Sequence, residues 1–143
     1  MTAEILRGFS RALCDALATR NIQPIEPFLH PDVEWVMYGP VDLFPFMGQR
    51  QGKAAVLAVI GELAATATLT RYEPEQVLFD GSEAAALVRL TAQERRSGRI
   101  LTVRMAQFAS AQDGQLRSVR VLFDTLDAAE QALGREFDLS RVA

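Results

Sequence analysis

Asp32-Val33-Glu34-Trp35-Val36-Met37-Tyr38-Gly39-Pro40 is a short β-type run that stops at a Gly-Pro break, and Phe46-Met47-Gly48 with Gly52-Lys53 follows it into a helix. Val33 to Tyr38 reads as a strand because β-branched and aromatic residues dominate it. The segment 39–51 contains Gly39, Pro40, Pro45 and Gly48, which interrupt regular structure. It also carries Val41, Leu43, Phe44, Phe46 and Met47, more apolar bulk than a solvated loop needs. Such a segment is expected to fold over an apolar space, as lids and pocket walls do.

Upstream, Leu6, Phe9, Leu13, Ala16 and Leu17 recur at helical spacing, which predicts an amphipathic helix over about 3–19. Pro24 opens a short second helix through Leu29, and His30-Pro31 closes it because the residue before proline is pushed out of the α region. Residues 53–66 read as a third helix with Val56, Ile60 and Leu63 on one stripe. Downstream, four long strand candidates are separated by Asp80-Gly81-Ser82, Ser97-Gly98 and Asp113-Gly114, the punctuation of an antiparallel meander. A final helix is expected near 127–134, with Asp127 as N-cap and Glu130 three residues later. This order describes an α+β domain spanning 1–143, a cone whose curved sheet wraps a pocket.

Period-two alternation assigns the faces of the meander. In 83–93 the even positions Ala84, Ala86, Val88, Leu90 and Ala92 face the core, against Glu83, Arg89, Thr91 and Gln93. In 99–111 both faces carry apolar residues: Thr102, Arg104, Ala106 and Phe108 on one, Leu101, Val103, Met105 and Gln107 on the other. In 116–124, Val119, Val121 and Phe123 oppose Ser118, Arg120, Leu122 and Asp124. Two strands apolar on both faces suggest a second burial event, dimerisation through the outer sheet surface.

A net charge of −3 argues against nucleic acid or an anionic membrane as partner. With one cysteine, Cys14, no intrachain disulfide is possible, and with one histidine, His30, no zinc site is expected. No stretch reaches the ~20 apolar residues of a membrane span, and no signal-peptide pattern opens the chain. The expectation is a soluble cytoplasmic protein without cofactor or metal.

The run His30-Pro31-Asp32-Val33-Glu34-Trp35, then Phe46-x-Gly48-x-x-x-Gly52, then Asp113-Gly114-x-Leu116 leading to Phe123-Asp124-Thr125 resembles the SnoaL-like, ketosteroid-isomerase-related families. These belong to the nuclear-transport-factor-two-like superfamily, and the resemblance covers about residues 4–134. It implies a cystatin-like barrel: a cone-shaped, mostly antiparallel sheet packed on three helices of the N-terminal half, with an internal pocket, usually as a homodimer. The superfamily includes isomerases, cyclases, dehydratases, epoxide hydrolases and plain binding modules, so fold does not give function.

The resemblance transfers few functional residues. The carboxylate base of the steroid isomerases falls at Met37, their first-helix tyrosine at Leu13 and their protonated aspartate at Ala106. That isomerisation is therefore not expected. The epoxide-hydrolase pattern needs an Asp two residues from Arg104, where Thr102 and Ala106 stand. The aspartate that polyketide-cyclase-like members place at the end of the last strand corresponds to Asp124.

Two catalytic candidates remain. Arg104, placed by the family alignment on the face that points into the cone, suits a carboxylate or other planar anion; alternatively it points to solvent. Asp124 could act as a base, or could tie down the turn into the last helix. Trp35, Met37, Tyr38, Phe44, Phe46, Phe108 and Phe123 are the candidate ligand-binding residues, with ordinary core packing as the alternative for Trp35. Arg95, Arg96 and Arg99 read as a solvated hairpin tip. The functional expectation is a dimeric protein that binds a small lipophilic molecule. It extends to proton-transfer chemistry, as an isomerase, cyclase or hydrolase, on an apolar carbonyl or carboxylate compound. The alternative is a non-catalytic binding or interaction module that has lost the acid–base residues.

Overall fold

The computed structural model describes residues 2–140. Helix α1, Thr2–Thr19, buries Phe9, Ala12 and Ala16 on one stripe. A 3-10 turn, Gln23–Phe28, begins with Pro24 near its start and leads directly into strand β1, Leu29–Met37. The strand thus starts four residues before Val33. Pro31 is accommodated because the pairing of β1 shifts register between Leu29 and Glu34, where a missing N–H breaks no ladder. His30 lies within β1, its Nδ1 accepting from the Asp32 N–H at 3.0 Å.

Gly48–Gln51 form a short strand, β2, antiparallel to β1 with Met37 opposite Gly48. Its polar sequence carries no strand signal; pairing with β1 imposes the conformation, so the apolar loop proper ends at Met47. Helix α2, Lys53–Thr66, buries Val56, Val59, Ile60 and Ala64. Strands β3 (Ala67–Asp80), β4 (Glu83–Glu94), β5 (Ile100–Gln112) and β6 (Gln115–Phe123) make the meander. Gly81 and Gly114 turn two of the hairpins with positive φ, a conformation that side chains with a Cβ resist. Helix α3, Thr125–Leu133, completes the described elements.

The strand order is β2-β1-β6-β5-β4-β3, with β1 parallel to β6 and every other pair antiparallel. The sheet curves without closing, leaving β2 and β3 as edges. Ile25, Leu29, Val33, Val56, Ile60, Val88 and Leu116 are fully buried and form the core between the helices and the inner sheet face. Burial of each such side chain is worth roughly 1.5–3 kcal/mol.

Arg95 is not a solvated tip residue. Its Nε donates to the Ala64 carbonyl at 2.9 Å and its Nη2 to the Leu17 carbonyl at 3.2 Å, near the C-terminal ends of α2 and α1. Those carbonyls lie where a helix runs out of its own donors, and a guanidinium supplies them. Arg96 and Arg99 are exposed.

Candidate functional site

Strand register decides which side chains reach the interior. Leu90 pairs with Val103, Met105 with Phe123, and Met37 with Val121. Paired residues share a face, so the even positions of β4 sit with the odd positions of β5, β6 and β1. The inner surface therefore carries Leu90 and Ala92, then Val103, Met105 and Gln107, then Val121 and Phe123, then Trp35 and Met37. Leu13, Cys14 and Leu17 of α1, Leu63 of α2 and the loop residues 43–47 cover it. Together they enclose a hollow of about 590 Å³.

Five of the seven expected ligand-binding residues line this hollow: Trp35, Met37, Phe44, Phe46 and Phe123. Tyr38 and Phe108 do not. They lie on the opposite side of the sheet, in a shallow groove with Phe79 and Leu122. The two catalytic candidates are also placed elsewhere. Arg104 faces outward: its side chain is 55% exposed and its Nε donates to Glu75 Oε1 at 2.7 Å. That hydrogen bond, with the charge of Glu75, holds the guanidinium protonated more firmly still. The family alignment puts Arg104 on the inner face of β5, but the pairing of Met105 with Phe123 turns Met105 inward and Arg104 outward; alternation decides nothing there, because both faces of β5 carry apolar residues. Asp124 is the N-cap of α3, its Oδ1 accepting from the Asp127 N–H at 3.0 Å. The cap thus falls three residues earlier than expected, and Glu130 instead accepts from the Phe137 N–H at 2.7 Å.

The polar groups of the hollow come from residues that the sequence did not single out. The Tyr72 hydroxyl donates to Gln107 Oε1 at 3.2 Å. Burial pushes the Tyr72 phenol up from its ordinary value, and burial followed by the charge of Asp15 pushes the Cys14 thiol up. Both groups are therefore neutral at physiological pH. Trp35 packs edge-on against Phe9 with ring centroids 6.3 Å apart. The lining includes the carboxylates Glu62 and Glu94 but, among the described residues, no Lys, Arg or His. Nor does any group of three or more His, Cys, Asp or Glu side chains among them converge as metal ligands. No local signal marks Tyr72: counted from the Asp80-Gly81-Ser82 turn it would stand opposite Thr91, on the outer face, and the register shift between Pro74 and Gln76 puts it opposite Leu90, on the inner one.

The mouth is shaped by the loop before β2. Arg50 donates to the carbonyls of Pro45 at 2.9 Å, Met47 at 3.1 Å and Gln49 at 3.2 Å. It fixes the stretch that carries Phe44 and Phe46, whose rings lie 5.6 Å apart. The result is an apolar chamber with a few neutral hydrogen-bonding groups. It suits shape-based retention of an apolar molecule better than recognition of an anion. No helix among the described residues is long and apolar enough to cross a membrane.

The sequence pattern of the SnoaL-like domain matches residues 10–119. Among solved structures, the "Putative Isomerase from Rhodopseudomonas palustris" is 42% identical, covers 92% of this chain and 97% of its own, and superposes with a TM-score of 0.89. An NTF2-like protein from Burkholderia xenovorans is 18% identical over 91% of this chain and 94% of its own, with a TM-score of 0.77. A Catenulispora acidiphila protein with a ketosteroid isomerase-like fold, in complex with trimethylamine, is 11% identical over 89% and 92%, at a TM-score of 0.70. No curated protein matches the chain closely enough to count as a relative. The match across most of the chain and the shared cone of helices and sheet make this protein a member of the SnoaL-like family, with the NTF2-like fold.

Proposed function

We propose that the protein binds a compact, uncharged, lipophilic molecule in the hollow between α1, α2 and the inner sheet face. The observation that carries this reading is the lining itself: about 590 Å³ bounded by apolar side chains, with Tyr72 and Gln107 as an internal polar pair. That volume lies in the range of small-molecule sites, and burying apolar ligand surface supplies the affinity. Carboxylates at the wall, with no facing cation among the described residues, disfavour an anionic ligand. A thermal-shift and calorimetric screen of neutral terpenoid, steroid and polyketide ketones against their carboxylate analogues tests it. Neutral compounds are expected to bind one per chain, and Leu90→Trp, which fills the hollow, is expected to abolish binding. Tighter binding of the acids, or unchanged binding in the filled variant, would overturn the reading.

A second reading, isomerisation of the bound molecule, is favoured by the 42% identity to the Rhodopseudomonas palustris protein. Of the wall carboxylates, Glu62 is exposed, which leaves half-buried Glu94 as the base such chemistry would use. Glu94→Gln is then expected to remove turnover while leaving ligand affinity intact; retained turnover would exclude Glu94 as the base.

For the partner we infer a second copy of this chain, docked through the outer sheet face. A groove of about 860 Å³ there has Tyr38, Phe79, Phe108 and Leu122 exposed on its floor. Asp80 and Glu83 rim one side and Arg120 the other, with Glu34 and Arg117 also in the lining. A two-fold axis would bring the acids of one protomer to the arginine of its partner, as a self-complementary surface requires.

A further inference from the structure

Resting on the reading of the hollow as a lipophile site, we propose that the Gln107 side-chain amide, held by Tyr72, is its specificity-determining group. It selects lipophiles that carry an uncharged acceptor oxygen over pure hydrocarbons. Gln107 stands on β5 between Ala86 of β4 and Val121 of β6, on the inward face with Met105. Because β5 is paired on both sides at this point, little of its main chain is open, and the partial exposure of Gln107 is that of its side chain. That side chain is part of the wall of the hollow, as are Met105, Leu90 and Tyr72. It is therefore within reach of an occupant, in a wall that is otherwise mostly apolar.

One end of the amide is used and the other is short of partners. Oε1 accepts the Tyr72 hydroxyl at 3.2 Å. Nε2 has two N–H groups and only the Met105 sulfur beside it, 3.4 Å away, a weak acceptor for one of them. A thioether sulfur carries lone pairs and no proton, so the amide end next to it is the nitrogen. The phenol donating to the opposite end keeps it so. What the amide offers the hollow is thus a donor, which a ketone, ester or ether oxygen completes. A carboxylate could accept from it too, but would meet Glu62 and Glu94 in the same wall. A hydrocarbon displaces water from the amide and returns no hydrogen bond, so discrimination comes from its failure as much as from the ketone's gain.

The test titrates matched pairs that differ only at the carbonyl: menthone with p-menthane, 2-decalone with decalin, and androstan-3-one with androstane. In the wild-type protein the ketone of at least one pair is expected to bind about tenfold more tightly than its hydrocarbon. Gln107→Leu, which removes the amide and keeps the wall apolar, is expected to bring that ratio to about one without loss of hydrocarbon affinity. Gln107→Met, unbranched and close in size, serves where the leucine variant folds poorly. Tyr72→Phe, which frees the amide to turn, is expected to lower the ratio while hydrocarbon binding stays; a merely structural tyrosine would weaken both members alike. An unchanged ratio in Tyr72→Phe would overturn the part given to Tyr72. Equal binding of ketone and hydrocarbon by the wild type, or a tenfold ratio that survives loss of the amide, would overturn the proposal yet leave the lipophile site intact. Ketones and hydrocarbons alike failing to bind would overturn both.

Discussion

Arg104 and Asp124 are the residues a reader of the sequence would mutate first, and the structure assigns both of them structural work. Asp124 supplies the oxygen that the first turn of α3 lacks, so Asp124→Ala is expected to cost about 1 kcal/mol in chemical denaturation. It should leave ligand affinity unchanged; a large loss of affinity with little loss of stability would return Asp124 to the site. Arg104→Gln, which removes an exposed pair with Glu75, is expected to change neither binding nor turnover. The aromatic residues were more legible than the charged ones. Trp35 and Met37 belong to a strand whose polar face identifies the inside, whereas Arg104 and Phe108 belong to one whose two faces look alike. Tyr72 and Gln107 escaped notice because each matters only through a partner 35 residues away.

At the scale of the element, the sequence marks strands by their turns better than by their starts. The hairpins at Asp80-Gly81-Ser82 and Asp113-Gly114 fall where their turn residues put them. The start of β1 and the whole of β2 depend on pairing that no local pattern announces. Arg95 illustrates the same limit: its position in a polar hairpin reads as solvated, while its guanidinium ties down α1 and α2. Arg95→Met is expected to destabilise the protein by about 2 kcal/mol, since two charge-assisted bonds to helix-end carbonyls are lost. Hydrogen exchange should quicken first in the last turns of both helices. Uniform acceleration across the sheet instead would contradict this assignment.

For the whole molecule, the interior and the exterior of the sheet make separate predictions. Cys14 and Tyr72 are raised from ordinary values of 9.0 and 10.0, chiefly by burial. The unfolded chain therefore releases these protons at lower pH than the folded one. Their contribution to stability is whole below about pH 9 and declines as pH rises through the two folded values. Alkaline denaturation of Cys14→Ser/Tyr72→Phe protein is expected to show a shallower decline above pH 9 than the wild type; identical slopes would contradict it. On the exterior, Phe108→Glu with Leu122→Lys is expected to convert a dimer to a monomer in light scattering while ligand affinity persists. A wild-type protein that is monomeric at millimolar concentration would remove the proposed partner.

The proposed lipophile site requires a usable hollow behind the curved sheet rather than a filled core. Calorimetric titration of wild-type and Leu90→Trp protein with the neutral ketone series measures this most directly. One saturable site per chain is expected in the wild type and none in the filled variant, with both folded by circular dichroism. Equal heats in the two proteins, or no binding by any neutral compound to the wild type, would contradict it.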